Sequence, residues 1–261
     1  MTGPARTALV VVDLQNDFCA SPLAGARFRG DPAALDAVVG GAAPPRGRGG
    51  PPARAPGRGC VASPRGGAPG ALHAFFPATA GAVAEARRRG VEVVFVRFTG
   101  DPAHQGASWR LRDRGRGRPP KCLEGTWGAD FHRVLPAAGE AVFTKRACFD
   151  AFLTAGFEEH LRARGVAHLV VAGLFADVCV DSTARTAFQK GFHVTVPADC
   201  TTSLHLPYEE VLAFMRVLYG ARTPASDDPS VWDVPAAEPR RHDEEEEKEE
   251  KCAPQPVRPR G

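Results

Sequence analysis

His168-Leu-Val-Val-Ala-Gly-Leu-Phe-Ala-Asp-Val-Cys-Val-Asp-Ser-Thr-Ala184 reads as a strand, a loop and the start of a helix. Its first five residues have the apolar run of a buried strand. From Val180, small and apolar residues recur at helical spacing through Ala184, Ala187 and Phe188 up to Gly191. Cys179 thus stands where a loop leaving a strand turns into a helix N-terminus. The unpaired N–H groups and the dipole of such a terminus favour the thiolate, the nucleophilic form of cysteine. Taken alone, a cysteine there serves packing as readily as chemistry.

The same alternation extends outward in both directions. Strand-like runs fall at 9–13, 91–98, 141–144, 169–172 and 193–196. Several are continuously apolar and β-branched, as in a parallel sheet covered on both faces. Helical patterns over 78–89, 157–164, 180–190 and 207–219 lie between them, the first three ending at Gly90, Gly165 and Gly191. This order specifies a three-layer α/β/α fold with a mostly parallel sheet, whose chemistry belongs at the carboxyl ends of the strands. One domain is expected over 1–221. A Gly/Pro/Arg-rich insert at about 41–70 interrupts it, with too little apolar surface to offset its ordering entropy. Residues 222–261, Pro-rich and acidic over Asp243–Lys251, are expected to form a disordered tail.

Composition narrows the class. The chain has 261 residues and a formal net charge of +3, too small to argue for nucleic acid. Seven scattered cysteines without a C-x-x-C pair suggest thiols in a reducing compartment rather than a disulfide or zinc framework. No stretch approaches the ~20 apolar residues of a membrane span, and the N-terminus lacks the features of a signal peptide. The expectation is a cytoplasmic protein acting on a small molecule, without membrane or nucleic-acid partners.

Three strand ends carry reactive groups. Asp13 closes the first strand, Lys145 closes the strand at 141–144, and Cys179 follows the strand at 169–172. A parallel sheet places these ends along one edge. There the aspartate would take the thiol proton and later return it to a leaving amine. The lysine would stabilise the charged forms while the thiolate attacks a carbonyl, with nearby backbone N–H groups holding the oxyanion.

Val10-Val-Val-Asp-Leu-Gln-Asn-Asp-Phe18, Lys145 and Gly173-Leu-Phe-Ala-Asp-Val-Cys-Val-Asp-Ser-Thr-Ala184 together resemble the isochorismatase-like family of cysteine hydrolases. The resemblance implies a catalytic triad of Asp13, Lys145 and Cys179. It also implies a cis peptide between Leu174 and Phe175, with the N–H groups of Phe175 and Cys179 as the oxyanion hole. Expected pocket walls are Phe18, Trp127 and Phe175, although an aromatic ahead of a helix is at least as often core. Nicotinamidases of the family carry an Asp-x-His-Pro-x-x-His type metal motif. Here Asp101 and His104 are the candidate ligands of that stretch, but the spacing and the second histidine are missing, so no metal or other cofactor is expected. Cys122-Leu-Glu-Gly-Thr-Trp-Gly-Ala-Asp-Phe131 and the compact Lys145-to-Cys179 separation resemble the carbamoylsarcosine and ureidoacrylate branch. The implied activity is hydrolysis of a C–N bond in a small amide or ureido compound through an acyl-enzyme on Cys179. Two other readings stay open: a nicotinamidase-type metal-assisted amidase, and a catalytically silent member that binds a metabolite or partner. Homo-oligomers are common in the family, and the sequence leaves the assembly state open.

Overall fold

The computed structural model describes residues 6–20, 71–117 and 119–235. The insert at 41–70 and residues 236–261 of the tail lie outside the described residues. In chain order the elements are β1 (Arg6–Val12), α1 (Asn16–Cys19), α2 (Ala71–Arg88), β2 (Glu92–Thr99), α3 (Ala107–Gly115), β3 (Ala141–Arg146) and α4 (Phe157–Ala163). They continue with β4 (Val166–Leu174), α5 (Asp181–Gln189), β5 (His193–Thr195), β6 (Thr201–Thr202) and α6 (Tyr208–Tyr219). A π-helical turn, Ala176–Val180, leads from β4 into α5.

The strands form one sheet in the order β3-β2-β1-β4-β5, with β6 also paired to β4, and every one of these pairings is parallel. β1 is central: Val10 pairs with Val94 on one side and Val171 on the other. Its side chains alternate between two cores, as a period of two requires. Ala8, Val10 and Val12 face a layer built from α4, α5 and α6 through Phe157, Leu161, Ala184, Leu212 and Met215. Leu9 and Val11 face the opposite layer, where α2 contributes Phe75, Ala82, Val83 and Ala86. Each fully buried Val or Leu contributes about 1.5–3 kcal/mol by leaving water. The three-layer α/β/α arrangement therefore rests on strands that are apolar on both faces.

The expected boundary at residue 222 is corrected by the structure. Arg222 N–H donates to the Val194 carbonyl (3.0 Å), Val196 N–H donates to the Arg222 carbonyl (2.8 Å), and Ala198 N–H donates to the Pro224 carbonyl (2.8 Å). Beyond them Val231 and Trp232 are buried in the same core as α2. The polar composition of 222–235 conceals these two apolar anchors, because their partners are distant in sequence.

Candidate active site

The segment after β1 builds one wall of the site. Asp13 takes a left-handed backbone conformation (φ 54°), one that an aspartate tolerates better than most residues. Its N–H donates to the Val96 carbonyl at 2.8 Å. The next residues act as a clamp. Gln15, fully buried, accepts from Phe98 N–H (2.7 Å) and donates from Nε2 to the carbonyls of Phe98 and Ala129 (both 2.9 Å). Asn16 Nδ2 donates to the Trp127 carbonyl (2.8 Å), and Asp17 Oδ2 accepts from Cys122 N–H (2.6 Å). Asp17 packs so closely on Gly128 that a Cβ there would lie 2.4 Å from its carboxylate. The polar string Gln15-Asn16-Asp17 thus ties the segment 122–129 and the end of β2 to the site.

Asp13 and Lys145 meet across the end of β2. Lys145 Nζ donates to Asp13 Oδ2 at 2.7 Å and to the Phe149 carbonyl at 3.0 Å. The lysine side chain is 0% exposed and the aspartate 2%, so the pair is withdrawn from solvent. Asp13 Oδ1 is buried and bonded to no fixed donor, and the Cys179 thiol interacts with both Asp13 and Lys145. Burial raises the Asp13 carboxyl above its ordinary range, and the Lys145 charge opposes that rise only in part. Lys145 remains an ammonium group, held charged against desolvation by Asp13 and Cys179.

Cys179 approaches from the other side of β1. At Gly173 (φ 111°) a Cβ would stand 2.0 Å from the Val12 carbonyl oxygen, so only glycine lets β4 lie this close beside Asp13. The Leu174–Phe175 peptide is cis. Cys179 sits in the π-helical turn ahead of α5 rather than at the first residue of a regular helix. The helix-terminal preference for the thiolate meets an opposing effect here. Burial pushes the Cys179 thiol up, and this outweighs the pull of Lys145. Asp177 of the same turn accepts from Leu204 N–H (2.8 Å), His205 N–H (2.6 Å) and Leu206 N–H (3.0 Å), pinning the loop after β6 near the site.

Asp13 and Cys179 lie in a cleft of about 370 Å³. Phe18 and Phe175 line it as expected residues, their ring centroids 6.2 Å apart. Trp127 does not: it is 59% exposed and lies outside this cleft, because its backbone carbonyl is what the Asn16 clamp holds. The tryptophan at the cleft is Trp109, which stacks on Phe98 (6.1 Å) and meets Phe149 (4.9 Å). Trp109 belongs to α3, an element the sequence reading missed. The i, i+4 pair Trp109 and Asp113 was its available signal, and Trp109 Nε1 donates to Asp113 Oδ2 at 2.9 Å. Asp101 and His104 do not converge as a donor set. Asp101 Oδ1 accepts from Ala103 N–H (3.0 Å), and His104 Nε2 lies 2.9 Å from Arg146 Nη1. No three His, Cys, Asp or Glu residues are grouped to hold a metal among the described residues. Cys19, Cys122, Cys148 and Cys200 are free thiols. No helix among the described residues is long and apolar enough to cross a membrane.

A parallel α/β sheet that gathers a buried carboxylate, an ammonium group and a thiol at its carboxyl edge defines a class of protein. Residues 60–226 match the isochorismatase domain model, and the chain belongs to the isochorismatase family. Among relatives, it is 36% identical over 118 residues to a nicotinamidase/pyrazinamidase of Mycobacterium tuberculosis, spanning 41% of this chain and 57% of that protein. It is 29% identical over 177 residues to the ureidoacrylate amidohydrolase RutB of Methylobacterium radiotolerans, spanning 60% and 67%. The chain spans little more than half the length of the curated relatives it first matches. Among solved structures, an isochorismatase family protein of Desulfovibrio vulgaris aligns with a TM-score of 0.60 at 26% identity, covering 85% of this chain and 95% of that one. The N-carbamoylsarcosine amidase of Thermoplasma acidophilum shares the fold with a TM-score of 0.59 at 23% identity, covering 85% and 98%.

Proposed function

We propose that this protein is a metal-independent cysteine amidohydrolase that cleaves a C–N bond in a small amide or ureido compound, with Asp13, Lys145 and Cys179 as its catalytic triad. The observation that carries this reading is the buried Asp13–Lys145 ion pair of 2.7 Å beside the Cys179 thiol at the base of the cleft. Taking two charges out of water is costly, and a purely structural role would be served as well by apolar residues.

In the proposed reaction Asp13 takes the proton of Cys179 as the sulfur attacks the substrate carbonyl carbon. The C=O electron pair moves to oxygen, and the N–H groups of Phe175 and Cys179 hold the oxyanion. Collapse breaks the C–N bond, and the amine leaves with the proton from Asp13. The thioester on Cys179 is then attacked by water, Asp13 again acting as base, which releases the acid or carbamate and restores the thiol. An Asp13 carboxyl raised by burial suits this part, because a stronger base matches a thiol that burial has made less acidic. Lys145 keeps the pair oriented and offsets negative charge as it moves from aspartate to sulfur.

The test is ammonia release across a panel of small amides and ureido acids, pyridine carboxamides included, with wild type and Cys179→Ala. Turnover by wild type and its loss in Cys179→Ala are expected. If no compound turns over, or if Cys179→Ala retains the activity, the proposal fails.

A further inference from the structure

In the sheet order β3-β2-β1-β4, two strands stand between the one that carries Lys145 and the one that leads to Cys179. At ~4.8 Å per strand spacing, their backbones run about 14 Å apart. Whether the ammonium group and the thiol stay aligned therefore depends on how the segments beyond the sheet are held to each other. Lys145 Nζ donates to the Phe149 carbonyl as well as to Asp13. Asp150, the next residue, uses both of its carboxylate oxygens. Oδ1 accepts from Phe152 N–H (2.9 Å) and caps the short turn Ala151–Leu153, while Oδ2 accepts from Thr186 Oγ1 (2.6 Å). A hydroxyl donating to a carboxylate at this length makes a strong, charge-assisted bond. Beside it, the buried Ala151 N–H donates to the buried Thr183 Oγ1 at 3.1 Å. Thr183 and Thr186 stand three residues apart on one face of α5, the helix that continues directly from the turn holding Cys179.

We propose that Asp150 and Thr186 are positioning residues: their hydrogen bond clasps the loop after β3 to α5, and so holds the Phe149 carbonyl and Lys145 in register with the Cys179 turn. Neither residue lines the cleft, so the clasp acts through these groups and not on a substrate. Without the Thr186 hydroxyl, Asp150 still caps its turn through Oδ1. The loop then keeps its local fold but loses one of its two ties to α5. A misplacement on the order of 1 Å at reacting groups is enough to slow chemistry strongly. Lys145 draws the thiol toward ionisation, so an ammonium group shifted away leaves Cys179 the weaker nucleophile. The inference rests on the reading of Asp13, Lys145 and Cys179 as the reacting groups.

The test is the rate at which iodoacetamide alkylates Cys179 in the full chain, read at that cysteine by peptide mass spectrometry, so no substrate is needed. Rates are compared at one pH and at a temperature where every variant is folded. Thr186→Val keeps the shape of the side chain and removes its hydroxyl, and a rate about tenfold below wild type is expected. Thr186→Ser keeps the hydroxyl and is expected to restore most of the rate. Asp150→Ala is expected to slow alkylation at least as much as Thr186→Val. Adding Thr186→Val to Asp150→Ala should then cost nothing more, as for two residues that act through one bond. A rate untouched by Thr186→Val, a Thr186→Ser protein as slow as Thr186→Val, or additive effects of the two substitutions overturns the proposal. Cys179-dependent ammonia release with alkylation insensitive to Thr186→Val would leave the amidohydrolase reading standing and remove only the clasp. Alkylation that follows the Thr186 hydroxyl, with no turnover of any compound, would do the reverse.

Discussion

Asp13 accepts from the Lys145 ammonium through Oδ2, keeps Oδ1 buried without a fixed donor, and interacts with the Cys179 thiol. As the proposed base, it must be ionised to take the thiol proton, and burial raises its pKa. Activity therefore falls as pH drops, with the acid limb of kcat/KM placed above the ordinary aspartate value of about 3.9. A pH–rate profile checks this, and a limb at or below that value contradicts it. Asp13→Asn removes the base while keeping the shape, and a loss of about 10²–10⁴ in kcat is expected. Lys145 makes a separate prediction on stability. Lys145→Met leaves the Asp13 charge buried without its partner, at a cost of about 3–5 kcal/mol near neutral pH. Without the ammonium the folded-state pKa of Asp13 rises further above its unfolded value. The variant therefore recovers stability as pH falls and Asp13 takes up a proton. Urea unfolding at pH 5 and pH 7 measures both effects, and a variant no more stable at pH 5 relative to wild type refutes the linkage.

Between Asp13 and β2, the clamp residues show how an element converts sequence into site geometry. Gln15 satisfies one buried N–H and two buried carbonyls. Gln15→Leu keeps the volume but strands these groups, at about 1–3 kcal/mol for each group left unsatisfied. A lowered Tm and a loss of activity beyond the loss of folded protein are expected, since Phe98 lies against the cleft. Wild-type kinetics with only a lower Tm would confine Gln15 to stability. The strands were legible because β1, β2 and β4 are continuous apolar runs, and their parallel order followed from the helices between them. Asp13, Lys145 and Cys179 were legible because each falls at or just beyond a strand's carboxyl end. α3 was not, because Arg110, Arg112, Arg114 and Arg116 leave Trp109 and Leu111 as its only large apolar residues. Its helix gives no apolar stripe, and it is placed by Trp109 packing on Phe98 and Phe149. Trp127 was misassigned for a related reason: sequence proximity to a motif does not tell which way a side chain points.

On the scale of the whole molecule, the edge of the sheet away from Asp13, Lys145 and Cys179 is closed by residues distant in sequence. His168 of β4 lies buried between Thr7 Oγ1 (3.1 Å from Nδ1) and Thr195 Oγ1 (2.8 Å from Nε2), with Arg222 Nη2 3.3 Å away. Burial first, and then Arg222, lowers its pKa to about 3. The unfolded chain therefore binds a proton between about pH 6.5 and 3 that the fold refuses, so stability falls through that window as pH drops. The loss is on the order of 2 kcal/mol by pH 5. His168→Gln should flatten that part of the stability–pH curve, and an unchanged slope would assign it to other groups. The segment after α6 completes this edge. Arg222 pairs its backbone with Val194 and Val196, and its Nη2 donates to the Asp233 carbonyl at 2.7 Å. Thr7 Oγ1 donates to the Trp232 carbonyl at 2.9 Å, tying the last described residues to the first strand. Burial of Val231 and Trp232 contributes about 1.5–3 kcal/mol for each side chain, and the two backbone bonds of Arg222 about 1 kcal/mol each. A chain ending after Ala221 forfeits all of this, a large fraction of the about 5–15 kcal/mol that domains possess. It should be less stable than one ending after Pro235 by about 5 kcal/mol and lose its cooperative thermal transition first. Equal Tm values for the two truncations would show that residues 222–235 lie on the fold without supporting it.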